Sequence, residues 1–116
     1  MLRKRSWILL LCGAALFAAA GRLATTRAQT TPAKAVEVKI DNFTFAPPTL
    51  TVTAGTTVQW INRDDIPHTV VSEDKSTFKS KALDTDDSYS YRFTKPGTYT
   101  YFCSIHPKMV AKVVVQ

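Results

Sequence analysis

From residue 36 onward, apolar and polar positions alternate along the chain. Glu37 and Lys39 separate Val36, Val38 and Ile40, Thr51 separates Leu50 from Val52, and Gln59 separates Val58 from Trp60. A period of two puts the apolar members on one face of an extended strand and the polar members on the other. Short runs at 69–72, 88–93, 98–103 and 110–115 read as further strands. Pro47-Pro48, Ala54-Gly55, the acidic cluster over 84–87 and Pro96-Gly97 punctuate them. No stretch of ten or more residues has a helical period. Seven to eight short strands in about 85 residues predict an all-β fold, an antiparallel Greek-key β-sandwich. Val38, Ile40, Val52, Val58, Trp60 and Phe93 are its expected core, with Phe43 and Phe45 as plugs in the core or at its edge.

The first 35 residues follow another pattern. Arg3, Lys4 and Arg5 precede an uncharged, largely apolar run over 7–20, the arrangement of a secretory signal peptide. The run is shorter than the roughly 17–25 residues that span a membrane, so a retained anchor is the weaker alternative. Cleavage is expected after Ala28, with Ala20 as second choice. The organisation is then a signal peptide over 1–28, a small polar lead-in over 29–35 and one domain over 36–116.

Removing the leader changes the charge. The whole chain has 15 Lys+Arg against 9 Asp+Glu, a net of +6. Arg3, Lys4, Arg5, Arg22 and Arg27 all lie ahead of Gln29, leaving ten basic residues against nine acidic and a net of +1. The basic balance therefore belongs to the precursor and gives no support to nucleic-acid binding. Cys12 leaves with the leader too. A single Cys103 in an exported chain cannot form an internal disulfide, so its thiol is either an inert core group or chemically employed.

Its neighbours favour employment. Cys103, His106 and Met109 bring a thiolate, an imidazole and a thioether into seven residues, and Pro107 stiffens the loop between them. A His2Cys trigonal set with a weak axial Met is an electron-transfer copper site, and the one other histidine of the chain is His68. A metal-binding Cys103 that points inward turns Tyr101 and Tyr99 inward with it and Phe102 outward. Zinc prefers a closed tetrahedral set without thioether. A two-copper centre needs a second cysteine, and two histidines cannot build the extra copper centre of an oxidase. The cluster over 84–87 lacks the Gly and distal Glu of a calcium loop and reads as a solvated turn.

Asn62 six residues before His68, Pro67, then Tyr101-Phe102-Cys103 with His106 and Met109 at intervals of three, resemble the plastocyanin/azurin-type cupredoxins, amicyanins most of all. The preceding Phe43, Phe45, Pro47, Leu50, Val52, Gly55, Thr57, Val58 and Trp60 are similar to that family as well. The resemblance implies one type 1 (blue) copper ion, with His68, Cys103 and His106 as equatorial ligands and Met109 as the axial one. It also implies no enzyme activity but a monomeric, periplasmic carrier that shuttles single electrons between redox partner proteins through Cu(I)/Cu(II). No membrane insertion is expected after processing, and the imidazole edge of His106 is the expected port.

Four positions depart from the pattern. Thr69 replaces a common Asn and puts the bracing of the ligand loop in question. Asp64 stands where amicyanins have Glu and is expected either to orient His68 or to be a surface carboxylate. Ile105 replaces Pro, restoring an N–H expected to donate to the Cys103 sulfur and raise the potential. Lys108 replaces an apolar residue and favours an acidic partner. The competing functional reading is a module for copper delivery, storage or resistance with the same ligands, although no Met-rich or His-rich tract supports transport. A metal-free adhesion or scaffold sandwich is the third.

Overall fold

The computed structural model describes Gly21 and residues 34–116; the expected signal peptide over 1–28 and most of the lead-in lie outside the described residues. Eight strands run in the order β1 (Val36–Asp41), β2 (Thr44–Ala46), β3 (Thr49–Val52), β4 (Thr56–Asn62), β5 (Val71–Ser72), β6 (Ser88–Phe93), β7 (Gly97–Phe102) and β8 (Val110–Val115). They form two four-stranded sheets, β2-β1-β4-β6 and β3-β8-β7-β5. The all-β sandwich expected from the period-two pattern is present, and there is no helix among the described residues.

The antiparallel expectation needs correction, because both sheets are mixed. β1 pairs with β4 in parallel, Val38 opposite Trp60, and β3 pairs with β8 in parallel, Val52 opposite Val115. The cause is the route of the chain. After the β1–β2 hairpin, Pro47 and Pro48 cannot donate to a ladder, and the chain leaves the first sheet to start β3 in the second. It returns through Gly55, whose φ of 92° suits a residue without Cβ, and β4 then lies parallel to β1.

β2 had no sequence signal. Asp41 pairs with Thr44, so Asn42 and Phe43 alone make the hairpin loop, with φ values of 50° and 58°. Positive φ at both central residues is the type I′ arrangement that Asn-Gly fills best. Phe43 fills the second position against its own preference. Phe45 is the core plug expected of it, but Phe43 is 45% exposed and is no core residue.

Every other expected core residue is buried. Trp60, fully buried, stacks on Phe78 at 5.7 Å between centroids and meets Tyr101 edge-on at 5.4 Å. Tyr89 and Phe93 close the cluster at 5.9 and 6.3 Å. Burial pushes the Tyr101 phenol up to about 12, and neither its hydroxyl nor Trp60 Nε1 has a hydrogen-bond partner among the described residues. Tyr101 and Cys103 are both buried, as their shared parity predicts, and this aromatic cluster is the floor beneath the thiol.

Candidate metal centre

His68, Cys103 and His106 come together at one end of the sandwich, each offering one donor atom, all within 4.8 Å of one another. Cys103 Sγ lies 3.8 Å from His68 Nδ1 and 3.6 Å from His106 Nδ1. His68 and Cys103 are fully buried, whereas His106 is partly exposed.

Backbone and side-chain bonds fix His68 from several directions. Its N–H donates to Leu83 O at 3.1 Å, and the Leu83 N–H returns a bond to His68 O at 2.7 Å. Its Nε2 meets Asp64 Oδ2 at 2.9 Å. With Nε2–H donating to that carboxylate, Nδ1 keeps its lone pair and faces the sulfur. Asp64 is a buried orienting group, not a surface carboxylate: its Oδ2 also accepts the Phe43 N–H at 3.1 Å, and its Oδ1 the Asp65 N–H at 2.9 Å. The bond to His68, followed by that of Phe43, holds its carboxyl down at about 2.

Asn62, at the end of β4, holds this segment in shape. Its Nδ2 donates to Ile66 O at 2.9 Å and to Leu83 O at 2.8 Å, and its Oδ1 accepts the Asp64 N–H at 2.9 Å. The acidic cluster over 84–87 is used in the same turn. Asp87 Oδ2 accepts the Asp84 N–H at 3.0 Å, and Asp86 pairs with Arg63 at 2.7 Å.

The loop after β7 closes on itself. The Cys103 N–H donates to Met109 O at 3.1 Å and the Met109 N–H to His106 O at 2.9 Å, so the four soft-metal candidates share one hydrogen-bonded turn and its facing segment. Burial pushes the Cys103 thiol up, but the bond from the Thr69 N–H, the two imidazoles beside the sulfur and the Thr69 hydroxyl outweigh it and bring the thiol down to about 6. A thiolate is therefore available at neutral pH.

A model of the family described as copper binding proteins, plastocyanin/azurin family, matches residues 32–116. The chain belongs to this family. Amicyanin of Paracoccus versutus is 38% identical over 91 residues, covering 73% of this chain and 67% of its own. A chloroplastic plastocyanin of Tetradesmus obliquus is 37% identical over 84 residues, 62% of this chain and 58% of its own. Among solved structures, a purple cupredoxin from Nitrosopumilus maritimus superposes with a TM-score of 0.67 at 33% identity, covering 70% of this chain and 99% of its own. Membership makes copper the cofactor, and the amicyanin and plastocyanin relatives point to copper-based electron transfer.

The donor set of this cupredoxin fits such an ion. Metal bonds of about 2.0 Å to nitrogen and about 2.3 Å to sulfur, spread at about 120°, separate N from S by about 3.7 Å. The two observed separations, 3.8 and 3.6 Å, bracket that value. Met109 is buried at 5% exposure beside this trio, in the same apolar cluster as Cys103.

Two of the departures resolve differently from expectation. Thr69 does brace the ligand loop: its Oγ1 accepts the Ser104 N–H at 2.8 Å and stands 2.7 Å from the Ser104 hydroxyl, doing with a hydroxyl what an amide side chain was expected to do. The Ile105 N–H, expected as a donor to the sulfur, makes no such bond among the described residues. The donors are instead the Thr69 N–H at 3.4 Å and the Thr69 hydroxyl at 3.7 Å. Ile105 turns outward, 49% exposed.

Sequence reasoning missed Phe43 as a site residue. Its ring meets His68 at 5.6 Å and His106 at 5.0 Å between centroids, perpendicular to both at 88°. Nothing local marks it; only the register of the β1–β2 hairpin brings it over the two imidazoles.

Proposed function

We propose that the protein is a periplasmic one-electron carrier in which His68 Nδ1, His106 Nδ1 and Cys103 Sγ hold a type 1 copper equatorially and Met109 holds it axially. The observation that carries this reading is the separation of sulfur from the two nitrogens, 3.8 and 3.6 Å, in a trio of which His68 and Cys103 are buried and His106 partly exposed. Copper supplies the Cu(I)/Cu(II) couple, and the chain supplies a fixed geometry. Asp64 keeps the Nε2 proton on His68, Leu83 clamps its backbone, and the bond from Cys103 to Met109 keeps the loop at constant span. Ligands that do not move cost little reorganisation when the charge changes. Proton transfer and a substrate pocket are not required for this work.

His106 is the exit that this reading favours, since it is the partly exposed ligand and the exposed Phe43 and Ile105 give its neighbourhood an apolar character. Exposed Lys108 adds a positive charge next to it, suited to an acidic redox partner. Export is part of the same proposal, with residues 1–28 as the signal peptide, 29–35 as lead-in and 36–116 as the working domain, a monomer. Copper(II) added to the purified copper-free protein is expected to turn it intensely blue, and a mild reductant to bleach it reversibly. Cys103→Ala is expected to take up no blue colour. A protein that holds only colourless copper(I) would instead support copper delivery or storage.

Phe43 supplies a separate check on the site. Phe43→Gly removes the ring and at the same time supplies the residue that a left-handed turn position prefers, so strain of about 1 kcal/mol is released. The copper-free variant is expected to unfold at the same or higher urea concentration. The copper-loaded variant is expected to lose copper(I) to a chelator about tenfold faster, about 1.4 kcal/mol, for two lost edge contacts.

A further inference from the structure

One residue presents two hydrogen-bond donors to the Cys103 sulfur. The Thr69 N–H reaches it at 3.4 Å and Thr69 Oγ1 lies 3.7 Å away. That same hydroxyl oxygen accepts the Ser104 N–H at 2.8 Å and stands 2.7 Å from Ser104 Oγ. A threonine hydroxyl has two lone pairs but a single hydrogen to donate. Thr69 can aim that hydrogen at the sulfur or at Ser104 Oγ, never at both.

The two arrangements are coupled. When the Ser104 hydroxyl donates to Thr69 Oγ1, that oxygen has both lone pairs filled, by the Ser104 N–H and O–H, and its own hydrogen goes to the sulfur. When Thr69 donates to Ser104 Oγ instead, the sulfur keeps only the N–H bond. Thr69 is 6% exposed, so water does not compete at its oxygen, whereas Ser104 is exposed beside a cleft lined by Val71, Lys75, Lys79 and Phe102. The outer hydroxyl therefore samples the surface and the inner one touches the ligand atom.

We propose that Thr69 and Ser104 form a two-position hydroxyl relay that sets whether the copper-bound thiolate accepts one hydrogen bond or two, and with it the reduction potential. The inference rests on the copper reading above. Hydrogen bonds around the sulfur tune the potential of such a site. Each one draws electron density from the thiolate, weakens its donation to the metal and so favours copper(I). More donors mean a higher potential. Thr69 and Ser104 are positioning residues in this scheme, since neither supplies a metal ligand.

The test exploits a difference of sign. In the copper-loaded protein, Thr69→Val deletes the inner hydroxyl and is expected to lower the potential. Ser104→Ala deletes only the competing acceptor, leaves the Ser104 N–H in place, and is expected to raise it, because the Thr69 hydrogen then has the sulfur as its sole partner. The double variant should match Thr69→Val, and Thr69→Ser should restore the wild-type value. The copper–sulfur stretch in resonance Raman should move with the potential in each case. A purely bracing role predicts something else, since loosening the loop from either side shifts both single variants in the same direction. Shifts of the same sign, or none in Ser104→Ala, overturn the relay. Urea unfolding of each copper-free variant separates loss of fold from loss of tuning, and Ser104→Ala, an exposed position, keeps the sign test available if Thr69→Val unfolds. A wild type that takes up no copper overturns both readings, while a blue wild type with same-sign variants overturns the relay alone.

Discussion

Trp60→Ala is expected to destabilise the copper-free protein by about 3–5 kcal/mol, a large part of the about 5–15 kcal/mol that holds a domain of this size together. The indole is fully buried and touches four aromatic rings drawn from both sheets: Tyr89 and Phe93 from β6, Tyr101 from β7, and Phe78 from the loop between β5 and β6. Truncation leaves a void where the two layers meet, and the strands on either side cannot collapse into it without breaking their ladders. The consequence should reach the metal centre. Tyr101 precedes Cys103 by two residues on the same face, so losing its edge contact to the indole loosens the floor under the sulfur. Urea titration of copper-free protein measures the first effect, and the copper-binding midpoint the second. A loss under about 1 kcal/mol would mean that the core repacks around the gap.

The second large effect is expected from Asn62→Ala. Asn62 is fully buried and satisfies three backbone groups at once: the carbonyls of Ile66 and Leu83 and the N–H of Asp64. Leu83 O keeps the His68 N–H, but Ile66 O and the Asp64 N–H lose the partner that Asn62 gave them. Each such group in the interior costs about 1–3 kcal/mol, so a loss of about 2 kcal/mol or more is expected unless water enters. The damage should be directional. All three partners flank His68, and Asp64 also carries the bond to its Nε2. Copper affinity should therefore fall more in Asn62→Ala than in a core variant of equal instability, such as a truncation of Val113 on β8, far along the chain from this turn. Equal losses of affinity at equal instability would show that Asn62 serves the fold alone.

The legibility of the chain divides along a physical line. Strands such as β1, β4, β6 and β8 were readable because each carries its own alternation, and that alternation is what buries Val38, Trp60, Phe93 and Val113. The ligand candidates were readable because a thiolate, two imidazoles and a thioether have few other uses in combination. What could not be read depends on the register between distant segments. Phe43 acquires its place over His68 and His106 from a hairpin whose loop residues carry no Asn-Gly signature. Ile105 offered an N–H by composition, yet the fold gave the sulfur a donor 34 positions earlier, from Thr69. The parallel pairs β1–β4 and β3–β8 were equally invisible, since alternation states which face is buried but not which way the neighbour runs.

Those parallel pairs also set an order of events. β8 follows the other seven strands among the described residues, yet it lies between β3 and β7, completing one whole sheet. Its pairing with β3 joins segments about 60 residues apart, and such long-range closure is slow compared with local hairpins. The loop bearing Cys103 and His106 hangs between β7 and β8, so it has no fixed span until Val110–Val115 has docked. A chain still emerging from a ribosome or crossing a membrane as an extended thread would thus lack a formed metal centre. Loading therefore waits on β8, and the compartment in which Val110–Val115 docks is the one whose metal supply the protein samples.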